Sequence, residues 1–158
     1  MLLFTIAPTL GFADQLIFGA GFANYSHENA ENSAVFAVEY QGKPFLQRPR
    51  LEARWAVAAE LQAKGDAFVG GGISGRWALP KSWFVEASVM PGLYLNGPQG
   101  NDLGSTFEIR SLLGLGRELK NGTALSLAIA HKSNASTGRI NPGVNSLILR
   151  WHCPLGSR

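Results

Sequence analysis

Along most of the chain, bulky apolar residues alternate with small or polar ones in runs of about ten residues. Each run ends at a polar or Gly/Pro-containing break. Candidate strands fall at 15–25, 33–41, 51–62, 66–79, 82–96, 105–118, 122–133 and 144–152. Each is close to the roughly nine to eleven residues that a tilted strand needs to cross a bilayer. An even number of strands with short connections predicts an all-β, eight-stranded antiparallel up-and-down barrel over residues 14–158.

The two faces decide between a soluble barrel and a transmembrane one. In 51–62 one face carries Leu51, Ala53, Trp55, Val57, Ala59 and Leu61, and the other Glu52, Arg54, Ala56, Ala58, Glu60 and Gln62. In 82–96, Trp83, Val85, Ala87, Val89, Leu93 and Leu95 oppose Glu86 and Ser88. Strand 105–118 sets Phe107, Ile109, Leu113 and Leu115 against Glu108 and Arg110, and 66–79 sets Val69, Ile73, Trp77 and Leu79 against Gly70, Gly72, Ser74 and Arg76. The charged face also carries the small residues, which a narrow interior needs. The apolar face carries the bulk, with Trp and Phe near strand ends, as in interfacial girdles. The barrel is therefore expected inside-out, in a membrane. Glu39, Glu52, Glu60, Glu86 and Glu108 should meet Arg54, Arg76, Arg110 and Arg150 in the lumen as a structural plug.

With the N-terminal end of the barrel in the periplasm, the outward loops are Ser26–Asn32, Lys64–Gly65, Gly97–Gly104 and Asn134–Gly143. The opposite turns are Gly42–Arg50, Pro80–Lys81 and Leu119–Asn121, with Cys153–Arg158 as a short tail. Residues 1–13, MLLFTIAPTLGFA, are an apolar run with small residues at Gly11 and Ala13, as before a secretory cleavage site. Lacking a basic n-region, they are expected to be a signal peptide truncated at its start; a buried first strand is the alternative.

Composition narrows the class further. Of 158 residues, 46% are hydrophobic and only 16% charged, which argues against disorder. The single cysteine, Cys153, excludes a disulfide scaffold. A net charge of +3 without a Lys/Arg cluster argues against nucleic acid. Gly70–Gly75 formally matches G-x-G-x-x-G, but alternation continues through it and small lumenal residues explain it. His27, Glu28 and Glu31 share an acidic loop, yet no spaced ligand set supports a metal.

Chemistry concentrates at 124–145. Leu125, Leu127 and Ile129 form a lipid-facing stripe that continues into His131 and Ser133, a costly placement for polar side chains without a role. A His two residues from a Ser on one strand can take the hydroxyl proton. By the same parity Asn145, Leu147, Leu149 and Trp151 face lipid, so Asn145 can lie beside His131. The bland alternative puts His131 and Ser133 simply at headgroup level.

The blocks His131-Lys-Ser133-Asn134-Ala135 and Asn141-Pro-Gly143-Val-Asn145-Ser resemble the signature of the PagL-type lipid A 3-O-deacylases. The strand Phe107-Glu-Ile-Arg-Ser-Leu-Leu-Gly-Leu-Gly is also similar to that family. The resemblance is strongest over the last three strands. It implies an outer-membrane barrel facing its substrate in the outer leaflet, and a serine hydrolase that needs no cofactor. Ser133 would be the nucleophile toward the 3-linked acyl ester and His131 the base and then the acid. Asn134 and Asn141 would support the oxyanion, and Gly143 the turn that brings the last strand alongside. Lipid A and the surrounding membrane lipids are the implied partners, with a homodimer left open. The chain departs from the family at Asn145, where a Glu is typical; an amide can orient the imidazole but cannot offset its charge. Glu28, Glu31 or Asp102 could substitute. The alternatives are an impaired structural barrel, or a phospholipase or acyltransferase using the same Ser/His pair.

Overall fold

The structure, a computed structural model, describes residues 13–25, 32–98, 100–138 and 140–156. The strands are β1 (Asp14–Tyr25), β2 (Ser33–Gln47), β3 (Leu51–Gln62), β4 (Ala67–Ala78), β5 (Trp83–Leu95), β6 (Phe107–Glu118), β7 (Ala124–Ser133) and β8 (Val144–Leu155). Each pairs antiparallel with its sequence neighbours, and β8 pairs with β1 to close the barrel. The expected eight-stranded antiparallel barrel is thus the fold. Closure leaves no free edge for another chain to pair with.

The faces divide as the alternation predicts. Trp55, Val57, Val69, Val89, Leu93, Leu113, Leu127, Ile129, Leu147 and Leu149 all stand on the outer wall, each about half exposed. Glu39, Glu52, Arg54, Glu60, Glu86, Arg110 and Arg150 are buried in the lumen. Large apolar groups outside and ionised groups inside mark a wall built for lipid, since water would make the reverse arrangement cheaper.

Two boundaries differ from expectation. The segment 42–50 is mostly strand: β2 continues to Gln47, and only Arg48–Arg50 turns, with the N–H of Arg48 donating to Leu51 O at 2.8 Å. Register shifts on either side of Pro44 absorb the residue without a ladder donor, so its Gly and Pro signals mark a bulge and not a turn. The tail at 153–158 is likewise shorter, because β8 runs to Leu155, where Cys153, Pro154 and Leu155 pair with Leu16, Gln15 and Asp14. Residues 1–12 of the expected 1–13 leader and the loop residues His27, Glu28 and Glu31 lie outside the described residues.

The lumen is filled in layers. At the end that carries His131, Ala23, Val35, Phe68, Tyr94, Leu103, Leu112, Val144 and Ile148 form an apolar plug. Bulky interior residues were not expected, and glycines make the room: a Cβ on Gly70 or Gly92 would lie 2.5 Å or 2.7 Å from the Phe68 ring. Below the plug runs a chain of ionic contacts. Glu60 accepts from Lys132 and, at 2.6 Å, from Nε of Arg110. Glu39 Oε2 receives Arg150 at 2.8 Å and Arg110 at 3.5 Å, and Arg150 also reaches Glu86 at 2.8 Å. Glu86 in turn accepts the hydroxyl of Ser126 at 2.6 Å. Arg54 pairs with Glu52. Two expected members find other company: Arg76 lies over the Phe84 ring at 3.5 Å and within 3.8 Å of Glu118, and both oxygens of Glu108 are buried with no hydrogen-bond partner among the described residues.

Candidate active site

Strand β7 places the site by parity. Leu125, Leu127, Ile129 and His131 are exposed on the outer wall, while Ser126, Ala128, Ala130 and Lys132 point inward. His131 stands directly opposite Asn145 of β8 and Ser111 of β6. Its Nδ1 lies 2.9 Å from Asn145 Oδ1. An amide oxygen can only accept, so Nδ1–H donates in this contact, and in the neutral imidazole Nε2 is then the accepting nitrogen. The cross-strand register, with strands about 4.8 Å apart, delivers this contact.

Ser133 continues the same stripe, opposite Ile109 and half-buried at the end of β7. No hydrogen bond joins it to His131 among the described residues, although the two share a face two positions apart. Lys132 between them is buried and bonded to Glu60 on β3, so the strand is anchored from across the lumen at the level of the site.

The loop that follows is organised by asparagines. Asn134 is fully buried, and its amide donates to Leu103 O at 3.1 Å and Ile140 O at 2.7 Å, using both hydrogens. Its backbone carbonyl accepts from Thr137 N–H at 3.0 Å and from the Thr137 hydroxyl at 2.6 Å. Its own N–H donates to Asn141 Oδ1 at 3.1 Å. Ala135 and Ser136 adopt left-handed backbone at φ 51° and 62°, a cost that non-glycine residues bear where a chain must turn sharply.

Gly143 closes the loop against the imidazole. Its φ is +68°, and a Cβ there would lie 3.0 Å from His131 Cε1 and 3.5 Å from Nε2. The position therefore needs glycine for conformation and for space. Asp102 is elsewhere engaged, accepting the N–H of Gly104 at 2.7 Å. His131 Nδ1 is already taken by Asn145, so Asp102 has no vacancy to fill at that nitrogen.

Two residues escaped the sequence reading. Lys132 was legible from parity, since the neighbours of His131 must point inward. Ser111, a small polar break in the stripe Ile109–Leu113–Leu115, borders the site from β6. Beneath His131 a cavity of about 220 Å³, lined in part by Ser111, Leu113, Ile129 and Asn145, opens on the outer wall. A second of about 390 Å³ shares Leu113 and Ile129 with it and continues between β6 and β7 past Leu115 and Leu127. Together they form an apolar groove that starts at the imidazole. Among the described residues, no three His, Cys, Asp or Glu side chains gather as metal ligands would.

Among solved structures, the barrel is similar to that titled the crystal structure of the outer membrane enzyme PagL, with a TM-score of 0.74 at 18% identity, over 89% of this chain and 99% of that one. A de novo designed transmembrane β-barrel matches at TM-score 0.63 and 9% identity, over 93% of this chain and 98% of that one. Neisserial surface protein A matches at 0.59 and 9%, over 90% and 96%. At these identities the likeness speaks for the fold alone. No curated protein sequence matches the chain. The family model described as lipid A 3-O-deacylase (PagL) matches residues 34–154, which span β2 to β8 and the whole site. The chain belongs to the lipid A 3-O-deacylase (PagL) family.

Proposed function

We propose that this barrel is an outer-membrane esterase that removes the 3-linked acyl chain of lipid A, with Ser133 as nucleophile, His131 as base and Asn145 as the third member. The observation that carries the reading is the His131–Asn145 hydrogen bond at 2.9 Å, set on a lipid-facing stripe beside Ser133 and at the head of an apolar groove. A substrate that is itself a membrane lipid can reach that groove laterally, without entering the filled lumen.

In this mechanism Nε2 of His131 takes the Ser133 proton as Oγ attacks the ester carbonyl. The tetrahedral intermediate collapses to an acyl-serine, and the imidazolium returns the proton to the departing sugar oxygen. Water, activated by the same nitrogen, then releases the fatty acid and restores Ser133. Asn141 is the better oxyanion donor of the two asparagines, because its NH2 has no protein acceptor among the described residues whereas both amide hydrogens of Asn134 are used inside the loop. Asn134 then serves by shaping the loop. The groove between β6 and β7 would take the acyl chain being cleaved.

The test is mass spectrometry of lipid A after incubation with the refolded barrel in detergent, with Ser133→Ala alongside. Loss of one 3-linked hydroxyacyl chain is expected with the parent and not with the variant. Intact lipid A together with fatty acid released from phospholipid would move the substrate class. Inertness toward both, from a correctly folded barrel, would point to a site impaired by Asn145.

A further inference from the structure

The end of the barrel opposite His131 carries a ring of exposed cations: Lys43, Arg48 and Arg50 around the β2–β3 turn, Lys81 between β4 and β5, and Arg117 and Lys120 around the β6–β7 turn. The carboxylates described at that end are engaged or buried. Asp14 accepts the Tyr40 hydroxyl at 2.8 Å, Glu118 sits by Arg76, and Glu52 holds Arg54 in the lumen. At the His131 end, among the described residues, Lys64 is half-buried and the exposed charge is Asp102. The charge is therefore asymmetric along the barrel axis.

Placement identifies the partner. Trp55, Trp77, Trp83 and Trp151 stand exposed on the outer wall toward this end, with Phe45 packed on Trp55 at 5.0 Å between ring centroids. Such indoles occupy the headgroup layer of a bilayer. Arg117 continues the lipid-facing stripe Leu113–Leu115 and lies opposite Leu125 and Trp83. Its guanidinium sits 5.8 Å from the Trp83 ring centroid. A cation on that stripe, among chains that lipid must cover, reaches outward to the phosphates of those same lipids.

We propose that this rim is a binding surface for anionic phospholipid headgroups in the leaflet opposite His131. The rim selects phosphatidylglycerol-type lipids over zwitterionic ones and seats the barrel axially, holding the His131 end at the other surface. The identity of that other surface rests on the function proposed above; the lipid preference does not.

The experiment reconstitutes the full chain in nanodiscs of phosphatidylcholine containing a minority of phosphatidylglycerol, and reads retained lipid by native mass spectrometry. The comparison is a variant combining Lys43→Ser, Arg48→Ser, Arg50→Ser, Lys81→Asn, Arg117→Ser and Lys120→Ser; asparagine tolerates the φ of 60° at position 81. Phosphatidylglycerol should be enriched on the parent at least ~10-fold over its share of the disc, falling to within ~2-fold on the variant, since each cation near an anionic surface contributes about a fivefold preference. Deacylation of lipid A in detergent should be the same for both, which separates a failure of this rim from a failure of the active site. Equal enrichment on parent and variant, or no enrichment on either, would overturn the proposal.

Discussion

Asn145 faces His131 across the β7–β8 pair. Its Oδ1 accepts from His131 Nδ1–H at 2.9 Å, a contact that holds the neutral ring in the tautomer with Nε2 as acceptor. In the proposed mechanism, what a neutral amide cannot do is offset the charge of the imidazolium that would form as Ser133 gives up its proton. Replacing a triad carboxylate by an amide elsewhere has cost about 10⁴ in kcat, partly through the wrong tautomer. With the tautomer already held, Asn145→Glu should raise kcat by about 10- to 100-fold and leave KM nearly unchanged, as expected for an interaction made only in the transition state. Steady-state kinetics on lipid A would show it, and an unchanged kcat would mean that the amide suffices.

Gly143 gives a second prediction at the same scale. Gly143→Ala would force a side chain into left-handed backbone and set its Cβ 3.0 Å from the imidazole. Left-handed backbone costs roughly 1–2 kcal/mol for an L-residue. If that cost is met by tilting the ring, kcat falls on the order of 10-fold while the barrel stays folded. Circular dichroism and kinetics on the same sample would separate the two effects.

At the scale of elements, β7 is held from both sides of its pleat. Outward, His131 bonds to β8; inward, Lys132 bonds to Glu60 on β3, which also receives Arg110 of β6. One carboxylate thus ties together three strands around the level of the site. Glu60→Gln would leave Lys132 buried without its counter-charge and Arg110 with only its longer contact to Glu39. Breaking such a buried pair from one side costs about 3–5 kcal/mol, so the urea midpoint of the variant in micelles should drop accordingly. A midpoint equal to the parent's would show that water or Glu108 takes over the pairing.

Element boundaries were legible where alternation was clean. The outward faces of β3, β5, β6, β7 and β8 follow from their apolar stripes, and so does the placing of Asn145 beside His131. The reading failed at Gly42–Arg50 and at the C-terminal end for one shared reason. Gly and Pro signal a break locally, but pairing with a neighbouring strand overrides that signal. Pro44 was absorbed by a bulge, and Pro154 was kept in β8 because closure on β1 needs it.

For the whole molecule, the sequence by itself determined the period, the two faces, the inside-out character and the stripe on which His131 and Ser133 lie. Those follow from the two-residue pleat of a strand and from the cost of placing charge in lipid, both of which act within a few residues. Only the tertiary structure decided how the lumen is filled and which groups meet there. Arg150 reaches Glu39 across 111 positions and Lys132 reaches Glu60 across 72, and no local pattern encodes such pairings. The same holds for the interior aromatics lodged over glycines, the spent amide of Asn134 and the groove beneath His131. They depend on register, closure and the narrow radius of the barrel, which exist only once all eight strands have joined.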